Sequence, residues 1–91
     1  MIYIITYDIP DNKQRLKVSA FLEGFGERVQ ESVFECKLPS KNISKLVKEL
    51  ANLIDEDGNI RIYPVCGDCY DKAINIGKFT KTLASEGFGV F

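Results

Sequence analysis

Apolar residues crowd the start of this chain in a pattern that a half-solvated strand does not show. Ile2, Tyr3, Ile4, Ile5 and Tyr7 occupy both parities ahead of Asp8, so strict one-sided alternation fails and burial on both faces is expected. Asp8 then ends a central strand, just before Ile9-Pro10.

A helix follows. Asp11 and Gln14 are three apart, a variant capping box that satisfies the free amide donors of a first turn. The helix is expected to run to about Phe25, with Val18, Phe21, Leu22 and Phe25 at i, i+3, i+4 and i+7 as one stripe facing a sheet. Lys13 and Lys17 lie off that stripe, and Gly24 and Gly26 mark its end. From Arg28 to Leu38 the chain is strand-like, with Phe34, Cys36 and Leu38 on one parity and Val29 and Val33 on the other. That stretch is too long for one ordinary strand and divides near Glu31-Ser32 into a hairpin or bulge.

Pro39 breaks the strand, and Ser40 is expected to cap a second helix carrying Ile43, Leu46, Val47, Leu50, Leu53 and Ile54 at helical spacing. Asp55 to Asn59 is a turn, and Ile60 to Val65 alternates as a strand whose Pro64 belongs on a sheet edge. The order strand, helix, strand pair, helix, strand is an α+β, ferredoxin-like βαββαβ plan with helices on one face of an antiparallel sheet. Strand one is then central and strand four an edge. Such a sheet leaves its other face open, so the two-sided apolar pattern of strand one calls for a further cover. A homodimer packed through the sheets is the simplest. Beyond Gly67, Ala73 to Ile76 is a candidate short extra strand. The expected division is a ferredoxin-like domain over 1–78 and a C-terminal tail over 79–91 that docks on a partner or a sheet edge.

The length of 91 residues implies one domain, and 45% hydrophobic with 27% charged residues is the balance of a soluble globular protein with no membrane-length apolar run. Nothing at Met1 resembles a signal peptide. Three cysteines form an odd set without a secretory signature, so a reducing cytoplasm is expected. A net charge of −1 argues against a surface that coats nucleic acid everywhere, so any phosphate binding is local.

Asp8 is the leading candidate for chemistry, because a carboxylate at a rigid strand tip offers hard oxygen ligands to Mg²⁺. A dimer axis near the tips brings two copies together around one ion; the plainer alternative is a structural turn at Asp8-Ile9-Pro10-Asp11. Lys13, Arg15 and Lys17 lie in the first helical turns, where the helix dipole disfavours cations. A bound phosphate would explain them, with Arg28 as a second contact, and a solvated face is the alternative. Lys41, Lys45 and Lys48 decorate the second helix as a solubilising surface. Cys66-Gly67-Asp68-Cys69 has the spacing of half a zinc knuckle, but no histidine exists and Cys36 adds one thiolate. As a redox dithiol it lacks a clear following helix, so reduced, partly buried thiols are expected. With no histidine, catalysis must lean on metal.

Ile4-Ile5-Thr6-Tyr7-Asp8-Ile9-Pro10, the helix Arg15 to Gly26, and Arg28-Val29-Gln30-Glu31-Ser32-Val33-Phe34-Glu35 together resemble one family, the CRISPR-associated protein two family. Ile60-Arg61-Ile62-Tyr63-Pro64 agrees with its pattern as well. The resemblance implies a small ferredoxin-like homodimer, a Mg²⁺- or Mn²⁺-dependent endonuclease of RNA or DNA that bridges integrase dimers on duplex DNA during spacer acquisition. It carries the metal-binding, catalytic aspartate onto Asp8, contributed by both protomers, and nucleic-acid contacts onto Arg15, Lys17 and Arg28. Tyr7, Ser32 and Phe34 take supporting places. A purely architectural, non-catalytic DNA-binding adaptor of the integrase is the alternative. The partners implied are a second copy, the CRISPR integrase, and duplex DNA or single-stranded RNA, with no membrane.

Overall fold

In the computed structural model, which describes residues 1–77, the first apolar run is strand β1 over Ile2–Asp8. It has neighbours on both sides because β-branched and aromatic residues on each parity suit a central position. Helix α1 (Asn12–Glu23) leads to β2 (Gly26–Gln30) and β3 (Val33–Lys37), and helix α2 (Ile43–Ala51) leads to β4 (Asn59–Val65) and a short helix α3 (Gly67–Asp71). The sheet order is β2-β3-β1-β4, with every recorded pairing antiparallel. β1 is central and β4 an edge strand, as the ferredoxin-like plan requires.

Glu31-Ser32 forms the turn between β2 and β3, and the register slips between Arg28 and Gln30, so the long strand-like stretch divides by both a hairpin and a bulge. At Gly26 the strands approach so closely that a Cβ would collide with the Glu35 carbonyl. Pro64 lies opposite Tyr3 on the edge strand, where its missing N–H leaves no central ladder broken.

The core lies between the sheet and the two longer helices. Tyr3, Ile5 and Tyr7 from β1 meet Phe34 and Cys36 from β3, Val18 and Leu22 from α1, and Leu46 and Leu50 from α2. Removing a side chain such as Ile5 or Phe34 from water contributes about 1.5–3 kcal/mol, and both are completely buried.

Within one chain only one face of β1 is fully covered, as the ferredoxin-like plan implies: on the other, Ile2 is buried beside Tyr70 and Val65, but Ile4 and Thr6 are only half-buried. One helical layer covers one face, and α3 is too short to reach along the other. Several expectations are corrected. α1 stops at Glu23 instead of Phe25, because the Gly24 N–H turns back to the Phe21 and Leu22 carbonyls. Phe25 is left 41% exposed and tilted against Phe21. Ser40 does not cap α2; it opens a 3-10 turn over Ser40–Asn42, and Asn42, at the N-cap position of α2, makes no side-chain cap. Residues 73–76 form no strand, and Gly67–Asp71, where the sequence shows no clear helix, is helical. The tail expected over 79–91 lies outside the described residues.

Candidate functional site

Asp8 is the last residue of β1, opposite Asn59 of β4. Strand alternation places it on the parity of Ile2, Ile4 and Thr6, the face that α1 and α2 leave open and α3 covers only at Ile2. Its side chain is exposed and makes no hydrogen bond or ion pair to another described residue. The next residue, Ile9, turns into the core and is 3% exposed, which anchors the strand tip.

Arg15 closes the loop behind that tip. One guanidinium nitrogen donates to the Ile9 carbonyl at 3.1 Å and the other to Asn12 Oδ1 at 2.6 Å. The side chain therefore satisfies a carbonyl in the turn leading out of Asp8, which explains a cation in the first turns of a helix without a bound phosphate. An arginine has five N–H donors, so others stay available.

Arg28 is held more closely still. It donates to the hydroxyl of the buried Ser19, lies 3.7 Å from Glu23 Oε1, and stacks its guanidinium 5.4 Å from the centre of the Phe34 ring. Phe34 in turn stacks on Tyr7, with centroids 6.3 Å apart at 29°. The Tyr7 hydroxyl donates to the Glu31 carbonyl at 3.2 Å, and the Tyr7 N–H donates to the Ser32 carbonyl at 3.1 Å.

Folding thus gathers Tyr7, Asn12, Arg15, Leu16, Ser19, Arg28 and Glu31 around one hollow of about 180 Å³. Phe34 packs on both Tyr7 and Arg28 of that hollow, and the Ser32 carbonyl accepts the Tyr7 N–H. Lys17 is exposed and does not line it. Asp8 belongs to the opposite parity of the same strand as Tyr7, so the carboxylate and the arginine hollow address different sides of β1. Asn12, Ser19 and Glu31 went unnoticed in the sequence. Ser19 had a signal: a small polar residue beside Val18 and three before Leu22 interrupts the buried stripe of α1.

Among the described residues, no group of three histidine, cysteine or acidic side chains is placed to hold a metal ion. Cys36 is fully buried in the core, and burial followed by the nearby Glu35 pushes its thiol up to about 11. Cys66 and Cys69, expected to be partly buried, are exposed, and they flank the start of α3.

A family model described as "CRISPR associated protein Cas2" matches residues 1–73. The chain belongs to the Cas2 family. A relative named CRISPR-associated endoribonuclease Cas2 1, from Chloroflexus aurantiacus, is 46% identical over 79 residues and is matched over 85% of both chains. The crystal structure of Streptococcus pyogenes Cas2 superposes with a TM-score of 0.76 at 28% identity, covering 85% of this chain and 100% of that one. A chain of a solved partial Cas6-RT-Cas1–Cas2 complex gives 0.74 at 32% identity over 82% and 83% of the two chains. The Cas2 match takes in every element from β1 to α3, and so includes Asp8, the arginine hollow and both exposed cysteines. No helix among the described residues is long and apolar enough to cross a membrane.

Proposed function

We propose that this Cas2-family chain acts in the cytoplasm as a homodimeric, metal-dependent nuclease of CRISPR adaptation that cleaves phosphodiester bonds of RNA or DNA. The observation carrying this reading is Asp8, an unengaged carboxylate at the tip of the central strand on the uncovered face of the sheet. Its relative is named an endoribonuclease.

The described residues of one chain supply too few ligands for a metal site of their own. Mg²⁺, however, keeps several waters and commonly needs only one or two carboxylates beside a phosphate. Two Asp8 side chains brought together across a sheet-to-sheet dimer fit that requirement, and Mn²⁺ accepts the same oxygen donors. When bound, the ion supplies Lewis-acid stabilisation of charge on the phosphodiester.

The chain's own residues do the rest. Ile9 in the core and Arg15 on the Ile9 carbonyl hold the Asp8 tip still. The donors that Arg15 and Arg28 do not spend internally, with the Lys17 ammonium, contact phosphate oxygens of the nucleic-acid backbone. Tyr7, Phe34 and the Ser32 carbonyl keep Arg28 and the hollow in shape.

The similarity to a chain of a Cas1–Cas2 complex supports a second role in the same dimer, docking on the CRISPR integrase and bridging its dimers on duplex DNA, with residues 79–91 as the docking tail.

Asp8→Ala tests the assignment. Cleavage of single-stranded RNA and duplex DNA in Mg²⁺ is expected to fall roughly 100-fold or more, the scale of losing one charge-stabilising group. The melting temperature should be unchanged, because the side chain has no partner among the described residues. Cleavage at the parental rate leaves the adaptor role alone standing.

A further inference from the structure

The start of α3 carries a pair of thiols that the nuclease reading leaves unused. Cys66 is the N-cap residue of α3, with extended dihedrals of φ −71° and ψ 160°. That conformation turns its side chain back over the first helical turn, where Sγ accepts the backbone N–H of Cys69 at 3.3 Å. The two thiols are near enough for each to shift the other's ionisation. Both are exposed and neither is bonded to another sulfur, while Cys36 is sealed in the core.

A disulfide needs Cβ atoms about 3.8 Å apart, whereas i, i+3 neighbours inside a helix stand about 5–6 Å apart. Cys66 lies outside the helix, so rotation about its own backbone closes that gap without unwinding α3. An exposed pair with one sulfur seated on its neighbour's backbone is an arrangement in which one thiol attacks and the other resolves.

We propose that Cys66 and Cys69 form a thiol–disulfide exchange site that reacts with small-molecule disulfides, with Cys66 as the attacking and Cys69 as the resolving thiol. The Cys66 thiolate attacks one sulfur of a disulfide RSSR, forming a Cys66–SR bond and releasing RS⁻. The Cys69 thiolate then attacks Cys66 Sγ, forms the Cys66–Cys69 bond and releases the second RS⁻. The protein loses two electrons and two thiol protons; the small disulfide gains both and leaves as two RSH. The division of labour agrees with the local electrostatics. Hydrogen bonds from the Cys69 side chain and then its backbone hold the Cys66 thiol below the usual value, and the same contact raises that of Cys69.

The bond joins the end of β4 to α3. Tyr70, next to Cys69, is buried against Ile2, donates its N–H to the Cys66 carbonyl at 2.9 Å and its hydroxyl to Glu35. Oxidation therefore fastens the one side chain of α3 that covers part of the open sheet face.

The full-length reduced protein, equilibrated with mixtures of oxidised and reduced glutathione, acid-quenched and analysed by intact-mass and peptide mass spectrometry, tests the site. The expected product is an internal Cys66–Cys69 disulfide with Cys36 still a free thiol. Cys69→Ser should accumulate glutathione on Cys66, whose thiolate still receives the backbone N–H at position 69, and Cys66→Ser should take up glutathione on Cys69 severalfold more slowly, because that thiol lacks the contact. Equal rates in the two variants, or a parent protein that forms only mixed or intermolecular disulfides, overturn the proposal.

Discussion

Arg28 serves three neighbours at once: the Ser19 hydroxyl, the Glu23 carboxylate and the face of Phe34. Ser19 is 6% exposed, and a buried hydroxyl deprived of its partner costs about 1–3 kcal/mol. The ion pair to Glu23 adds little, since both side chains are largely exposed. Arg28→Ala is therefore expected to lower unfolding stability by about 1–3 kcal/mol in urea titrations without nucleic acid. Lys17→Ala, on an exposed side chain, should stay within about 0.5 kcal/mol of the parent. Equal midpoints for the two variants would leave Arg28 with no structural role and return it to phosphate binding alone. The residue types pointed to anion contacts, and the spacing of Arg28 from Ser19 did not reveal the bond, because the two meet only when β2 packs against α1.

The start of α1 shows how an element is tied into the fold. Asp11 accepts the Gln14 N–H at 2.9 Å, so half of the expected capping box forms. The Gln14 side chain does not reach back. It donates to Asp55 Oδ2 at 3.0 Å and accepts the Asp55 N–H at 3.1 Å, joining α1 to the turn before β4. This bond, followed by the Asp57 N–H, holds the Asp55 carboxyl below its ordinary value of 3.8. A depressed carboxyl stabilises the fold above its unfolded value and loses that contribution as pH falls through the folded one. Gln14→Ala keeps the backbone cap and removes the tie. In an NMR titration, Asp55 of the variant should protonate at higher pH than in the parent, and the stability gap between the two should narrow under acid. Coincident titration curves would mean that the contact does not persist in solution. The capping box was legible because it is local; its redirection to Asp55, 41 residues away, was not.

At the scale of the molecule, the sheet is built asymmetrically. One face is sealed by α1 and α2, while the other presents Ile4 between Glu35 and Tyr63, and Thr6 between Val33 and Arg61. Tyr63 is 45% exposed and lies beneath the Arg61 guanidinium. Exposed aromatic and aliphatic surface of this kind marks an interaction site. A charge at its centre opposes a second copy without touching the core. If the proposed dimer packs through this face, Tyr63→Glu shifts it toward monomer in sedimentation velocity at micromolar concentration and reduces cleavage in parallel, with its helical content unchanged. A parent protein that sediments as a monomer would remove the paired Asp8 site.

The apolar period along the chain by itself determined the element order, the break at Glu31-Ser32, the central place of β1 and the edge place of Pro64, because each depends on neighbours within a few residues. The motifs around Asp8 and Arg28 likewise pointed to the family from sequence alone. Tertiary structure decided the rest. It separated Asp8 from the arginine hollow by strand parity, turned Arg15 and Arg28 inward onto Ile9 and Ser19, and wound Gly67–Asp71 into a helix that seats the Cys66 sulfur on the Cys69 N–H. Those partners come from different elements, or from a turn too short to show a period, so only the packed chain could bring them together.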